Sequence, residues 1–202
     1  MNFVLIEQLA VVFGTLFAIV NPFSTSLIFT KLTEGMNLKE IHKLAIKASF
    51  AAFLTLVIFL FIGNYILDFF GITIYAFRVA GGLYLSWIGF EMLSPKLRRR
   101  AENYDDDRES IAVIPLAIPL LSGPGALTTV LVLSSEVSYL IILLAVFFVC
   151  IVSWIVLHYS NLIQKSLGKV GTSVLERLMG LIVLVVAVQF VFNGITGYLL
   201  TI

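Results

Sequence analysis

Residues 139–159 read YLIILLAVFFVCIVSWIVLHY, a run of apolar side chains without aspartate, glutamate, lysine or arginine. A helix of about 20 such residues is long enough to cross the hydrocarbon core of a bilayer, which is about 30 Å thick. Similar apolar runs fill most of the remaining chain, at 3–32, 48–67, 75–93, 111–134 and 178–200. The sequence therefore predicts an all-α polytopic membrane protein with six transmembrane helices.

Composition excludes a water-soluble fold. Of the 202 residues, 60% are hydrophobic and 12% are charged, whereas a soluble domain carries about 25% charge. Six spans with short connections use the whole length, so we expect one transmembrane domain over residues 1–202. The net charge of +1 argues against a nucleic-acid partner, and the lipid bilayer is the expected surrounding. Cys150 is the only cysteine, so an intramolecular disulfide is excluded.

The distribution of lysine and arginine predicts the orientation. Twelve of the 13 basic residues fall in the connections after the first, third and fifth predicted spans, and Arg78 is the exception. Basic residues near the ends of membrane helices stay in the cytoplasm. We therefore expect a multi-pass protein of the plasma or inner cell membrane, with both termini outside and the 1–2, 3–4 and 5–6 loops in the cytoplasm.

Two pairs of short motifs recur along the chain in the same order. NP at 21–22 corresponds to GPG at 123–125, and RVAG at 78–81 corresponds to RLMG at 177–180, with the prolines 102 positions apart and the arginines 99 apart. These offsets predict a duplicated unit, with one repeat at about 1–100 and the other at about 103–202. Because each unit has three spans, the second is inverted relative to the first, as in many secondary transporters.

The prolines predict broken helices in the first and fourth spans. Proline has no amide hydrogen, so Pro22 and Pro124 leave the carbonyls of Ala18 and Leu120 without their usual helical donors. Each break also begins a half-helix, whose free amides and positive dipole end favour an anion. Glycines allow other helices to come close to the breaks, although helix packing explains them equally well. The candidate substrate-binding residues are Asn21, Pro22, Ser24, Thr25, Gly123, Pro124, Gly125, Thr128, Gly81 and Gly82.

The chain contains little that indicates catalysis. Ionisable residues deep in a span are functional by default, but those of this chain are predicted near span ends, and no buried proton carrier is expected. These residues are Glu7, Lys47, Asp68, Arg78, Glu91, His158 and Glu176. No HExxH, paired intramembrane carboxylates or GxSxG occurs, which disfavours an intramembrane enzyme. Neither a metal site nor a cofactor is expected. A channel remains an alternative, because broken helices also build selectivity filters.

The runs AIVNPFSTSLIF at 18–29, RVAGGLYLSWIGFEML at 78–93 and IPLAIPLLSGPGALTTV at 114–130 resemble the MarC family of six-helix membrane proteins. The resemblance extends over essentially the whole chain. It implies a neutral amino-acid transporter for glycine, alanine and similar substrates, and the family's association with antibiotic resistance makes drug efflux the alternative. A zwitterion suits paired amides and carbonyls, so we expect small neutral amino acids as substrates. The coupling ion, H⁺ or Na⁺, is not determined, and a homo-oligomer stays open.

Overall fold

The computed structural model describes residues 2–94 and 121–201, and every regular element within these ranges is an α-helix. Most of the predicted 94–109 loop, and Pro115, Pro119 and Leu120 of the predicted fourth span, lie outside the described residues. The helices are α1 (Asn2–Val20), α2 (Pro22–Leu32), α3 (Leu38–Phe69), α4 (Ile74–Leu93), α5 (Pro124–Ser134), α6 (Tyr139–His158) and α7 (Ser160–Leu199).

Four stretches of the described helices are long and apolar enough to cross a membrane. They are Leu5–Thr30, Leu38–Phe69, Tyr139–His158 and Val170–Leu199. Helix α4 has 20 residues but is not among the four, because Arg78, Glu91 and its glycines lower its hydropathy. Helix α5 has only 11 residues. The membrane-spanning, all-helical architecture is thus found, whereas four of the six predicted spans are recognised in the described part of the chain.

The first predicted span is divided at Asn21. Helix α1 ends at Val20 and α2 begins at Pro22. Between them Asn21 has a φ of 44°, a left-handed conformation that asparagine tolerates better than most residues. Pro22 then occupies the first helical position, where its missing amide hydrogen costs nothing and its fixed φ suits the helix. The break therefore follows directly from the Asn-Pro dipeptide.

Helices α3 and α6 pack in antiparallel fashion. The N-terminal part of α3 meets the C-terminal end of α6, where the Nδ1 atoms of His42 and His158 are 3.1 Å apart. At the opposite end, the rings of Phe61 and Tyr139 stack with centroids 5.8 Å apart. An Asn37–Glu40 capping box fixes the start of α3.

Helices α4 and α7 form a glycine seam, the antiparallel contact in which glycines of each helix face the backbone of the other. Cβ atoms added at three of these glycines would lie 2.7, 3.1 and 2.9 Å from carbonyl oxygens of the facing helix. The contacts at Gly82 and Gly194 are too close for a larger residue, and the contact at Gly89 is tighter than most Cβ contacts, so glycine permits this close approach. The three pairs are Gly82 with Ala187, Gly89 with Gly180, and Gly194 with Tyr75.

Candidate functional site

Helix α5 begins with amides that no side chain caps. Pro124 is its first residue, and Gly123 occupies the N-cap position with φ −62° and ψ 170° but no capping side chain. The Leu127 amide donates to the Gly123 carbonyl over 3.1 Å. No hydrogen bond within 2–94 and 121–201 engages the amides of Gly125 and Ala126. Exposed amides at a helix N-terminus favour a negatively charged group, so α5 begins with an arrangement suited to an anion.

The start of α2 is different, because Asn21 already occupies its amides. The Ser24 amide donates to Asn21 Oδ1 over 3.3 Å, and the Thr25 amide donates to the Asn21 carbonyl over 3.2 Å. Pro22 has no amide hydrogen. Of the amides in the first turn of α2, where the sequence predicts an anion site, only that of Phe23 forms no hydrogen bond within the described residues. The start of α5 is therefore the better anion site of the two.

The start of α5 lies against the end of α1, next to the break at Asn21. A Cβ atom at Gly125 would lie 3.4 Å from Ile19 Cγ2, two residues before the Asn21 break. It would also lie 3.0 Å from Leu85 Cδ2 and 3.2 Å from Ile88 Cδ1 of α4. Gly125 thus joins α1, α4 and α5 at the first turn of the second half-helix. Ile19 and Gly125, 106 positions apart in the sequence, therefore meet in the fold.

The two glycines predicted beside the breaks have separate positions. Gly81 faces α5, where an added Cβ would overlap Thr128 Cγ2. Gly82 faces α7 instead, where an added Cβ would lie 2.7 Å from the Ala187 carbonyl oxygen. Gly81 is therefore part of the region around the breaks, whereas Gly82 belongs to the glycine seam.

The remaining predicted residues differ in burial. Asn21 and Thr25 are each 5% exposed and Thr128 is 9% exposed. Pro22 and Gly125 are buried, Ser24 and Gly123 are half-buried, and Pro124 is exposed.

Glu176 joins this region, although its position in the sequence predicts the end of a span. Its side chain is 6% exposed, and its Oε1 accepts a hydrogen bond of 2.7 Å from Ser24 Oγ. Ser24 Oγ in turn accepts a bond of 2.7 Å from Asn21 Nδ2. A carboxylate of α7 is therefore hydrogen-bonded to the break in the first span. The helical periodicity of α7 is the sequence feature that indicates a buried Glu176. Glu176 lies on the same buried face as Thr172, Gly180, Val183 and Ala187.

A second contact ties α2 to α7 on the other side of a break in α7. Gly168 has φ 61° and ψ −177° within α7, a conformation open to glycine alone. Before this break, Gln164 Nε2 donates to the Ser26 carbonyl over 3.2 Å; after it, Glu176 accepts from Ser24. Helix α2 is thus held by both parts of α7.

Two clefts of the described residues open away from the breaks. One of about 400 Å³ lies at the turn between α3 and α4, and includes Asn64 and Asp68. The other, of about 380 Å³, lies at the end of α2 and includes Thr30 and Asn161. Near the Asn21 break, Gly125 is packed closely against Ile19, Leu85 and Ile88.

No metal site is found within the described ranges, which contain no group of three or more His, Cys, Asp or Glu side chains able to hold an ion.

These apolar helices, one of them divided at a buried asparagine, define an integral membrane protein. The chain belongs to the MarC family of integral membrane proteins, whose family model matches residues 6–199. It is 39% identical to a UPF0056 membrane protein of Pyrococcus horikoshii, over 95% of this chain and 96% of the relative. It is 38% identical to the UPF0056 membrane protein YvbG of Bacillus subtilis, over 92% of this chain and 93% of the relative. No solved structure gives a significant match.

Proposed function

We propose that this protein is a secondary transporter of small neutral amino acids of the glycine, alanine and serine class. The observation that carries the proposal is that the uncapped N-terminus of α5 packs against the break at Asn21 through Gly125 and Ile19. Transporters commonly bind substrate where half-helices begin and end near the middle of the membrane, because backbone amides and carbonyls are exposed only there.

The proposed architecture is six spans in two inverted three-helix repeats. Helices α2 and α5 support it, because each has 11 residues and each begins with proline. Helices α3 and α6 begin at Leu38 and Tyr139, an offset close to that of the prolines. The antiparallel α3–α6 and α4–α7 contacts are also what a pseudo-twofold axis in the membrane plane requires.

In the proposed site, the amides of Gly125 and Ala126 hold the substrate carboxylate. The ammonium group is assigned to the Ala18 carbonyl, for which Pro22 has no amide hydrogen to donate. The close packing of Gly125 against Ile19, Leu85 and Ile88 leaves little volume for a side chain. A small zwitterion therefore suits this region better than a bulky drug, which would need a wide cavity.

The proposed location is the plasma or inner membrane, with both termini outside. This orientation leaves most lysines and arginines in the cytoplasm. Coupling to an ion gradient is part of the proposal, because a secondary transporter accumulates substrate only when a second gradient drives it.

Gly123→Asp tests the carboxylate position. An aspartate at this N-cap would accept from the free amides and stabilise α5 by a few tenths of a kcal/mol relative to glycine, while its charge would repel the substrate carboxylate. We therefore expect a protein that is at least as stable but loses glycine counterflow in proteoliposomes. Ser138→Asp is the matched control, because Ser138 is the N-cap of α6 and also lacks a side-chain capping bond.

The proposal is wrong if wild-type protein shows no glycine counterflow. If Gly123→Asp transports glycine as well as Ser138→Asp does, the carboxylate is bound elsewhere. Binding of cationic drugs without binding of glycine would favour efflux instead.

A further inference from the structure

Glu176 is the one buried carboxylate among the described residues. Its side chain is 6% exposed, whereas Glu7, Glu34, Glu40, Asp68 and Glu136 are exposed and Glu91 is half-buried. An ionised carboxylate in an apolar protein interior loses its hydration, at a cost of several kcal/mol that its surroundings must offset. Ionisable groups kept within membrane helices commonly carry ions or protons.

Hydrogen bonds connect this carboxylate to the backbone break. Asn21 Nδ2 donates to Ser24 Oγ, and Ser24 Oγ donates to Glu176 Oε1, each over 2.7 Å. The Ser24 hydroxyl therefore connects Asn21, whose backbone is left-handed, to the Glu176 carboxylate through two hydrogen bonds. A hydrogen bond to an ionised carboxylate is about twice as strong as one to a neutral group. Binding of a proton to Glu176 would thus weaken the attachment of α2 to α7.

We propose that Glu176 binds the proton whose gradient drives transport, and that its protonation releases α2 at the Asn21 break. This inference rests on the proposed function. In the step itself, a proton from one solution adds to a carboxylate oxygen and converts it to a hydroxyl. The same proton leaves to the other solution after the helices have moved, so the carboxylate is restored.

A proton suits this arrangement better than a sodium ion. Ser24 Oγ accepts from Asn21 and donates to Glu176, so its hydrogen and one of its two lone pairs are already used. A sodium ion would need several oxygen lone pairs directed at one point. A proton needs only the carboxylate oxygen.

Other ionisable groups lie at the same end of the helices that pack on α7. Helix α4 carries Glu91, which is half-buried. Its neighbour Met92 packs on α7, because a Cβ added at Gly180 would lie 2.7 Å from the Met92 Cβ. Helix α6 ends at His158, and α1 and α2 contribute the uncharged Asn21 and Ser24. On α7 itself, Arg177 and Lys165 are exposed.

The test compares wild-type protein with Glu176→Gln, Glu176→Asp and the control Glu7→Gln, an exposed glutamate of α1. Infrared difference spectra, recorded without any amino acid while the pH is stepped, follow the C=O band of protonated carboxyl groups. Proteoliposomes then report glycine counterflow and glycine accumulation driven by an imposed pH gradient or, separately, a sodium gradient. Size-exclusion elution reports folding.

We expect Glu176→Gln to lose one pH-dependent C=O band and to lose accumulation driven by the pH gradient, while its size-exclusion elution matches the wild type. Glu176→Asp and Glu7→Gln should retain the band and the accumulation. The proposal is overturned if Glu176→Gln keeps its full set of bands, if it accumulates glycine as the wild type does, or if only a sodium gradient drives accumulation. Absence of counterflow in wild-type protein would instead refute the proposed function, and the infrared result would still decide whether Glu176 takes up a proton.

Discussion

The Arg78 guanidinium lies 3.1 Å from the carboxylate of Glu136 and so joins the start of α4 to the turn after α5. The same guanidinium donates to Ser135 Oγ over 2.7 Å. Arg78 is 12% exposed in its side chain and Glu136 is 33% exposed. Arg78, the one basic residue outside the three predicted cytoplasmic loops, is therefore neutralised by this ion pair, about one turn from the contact of Gly81 with Thr128.

Reversing the charge at Arg78 should destabilise the protein. Reversing the charges of both Arg78 and Glu136 should restore its stability. Arg78→Glu places two carboxylates together, and we expect a loss of about 1 kcal/mol, as is typical of partly exposed pairs. Arg78→Glu with Glu136→Arg should regain most of that loss. Thermal unfolding in detergent measures both. Equal destabilisation in the single and double variants would show that the pair contributes nothing.

Gly81→Ala should disrupt the contact between α4 and α5, because its new methyl group overlaps Thr128 Cγ2. Overpacking of this kind costs about 1–3 kcal/mol. Thr128→Ser removes the obstructing methyl and keeps the hydroxyl, so adding it to Gly81→Ala should recover much of the stability. A double-mutant cycle measures the coupling. Additive effects would mean that the two residues do not touch.

The predicted orientation can be tested at two exposed serines on a Cys150→Ala background. Ser138 precedes α6 and Ser166 lies in the first part of α7. An impermeant thiol reagent applied to whole cells should label Ser138→Cys and spare Ser166→Cys. Permeabilised cells, in which both should react, provide the control. If the reagent labels Ser166→Cys and spares Ser138→Cys, the proposed orientation is wrong.

The His42–His158 pair should stabilise the α3–α6 contact. With the Nδ1 atoms 3.1 Å apart, one ring must donate and the other accept. We expect a coupling free energy of about 1 kcal/mol between His42→Phe and His158→Phe. A double-mutant cycle read by thermal unfolding in detergent measures it. Additive effects of the two substitutions would contradict a shared hydrogen bond.

The break at Asn21 and the helix starts at Pro22 and Pro124 could be predicted from the sequence because proline acts locally. Pro22 and Pro124 each begin a helix, as their missing amide hydrogens require. The sequence could not reveal that Asn21 satisfies the amides of its own half-helix, because this depends on a side-chain rotamer. Nor could it separate Gly81 from Gly82, since adjacent residues of a helix face different neighbours only once those neighbours are placed.

The burial of Glu176 is not predictable from its position along the chain, for a different reason. Its position just before the apolar run 178–200 predicts a membrane–water boundary, whereas its burial depends on which face of α7 other helices cover. Its partner Ser24 is 152 positions away in sequence. Contacts of that range depend on helix packing, and local patterns do not encode them.

The glycine seam also determines which parts of the molecule are free to move. Where two backbones touch at several levels, neither helix can slide or tilt without steric overlap, so α4 and α7 beyond Gly168 behave as one rigid body. If the protein transports as proposed, the displacement that admits a substrate must then fall on the 11-residue helices α2 and α5. In the proposed transport cycle, α4 and α7 would form the stationary frame, and α2 and α5 would form the moving gates.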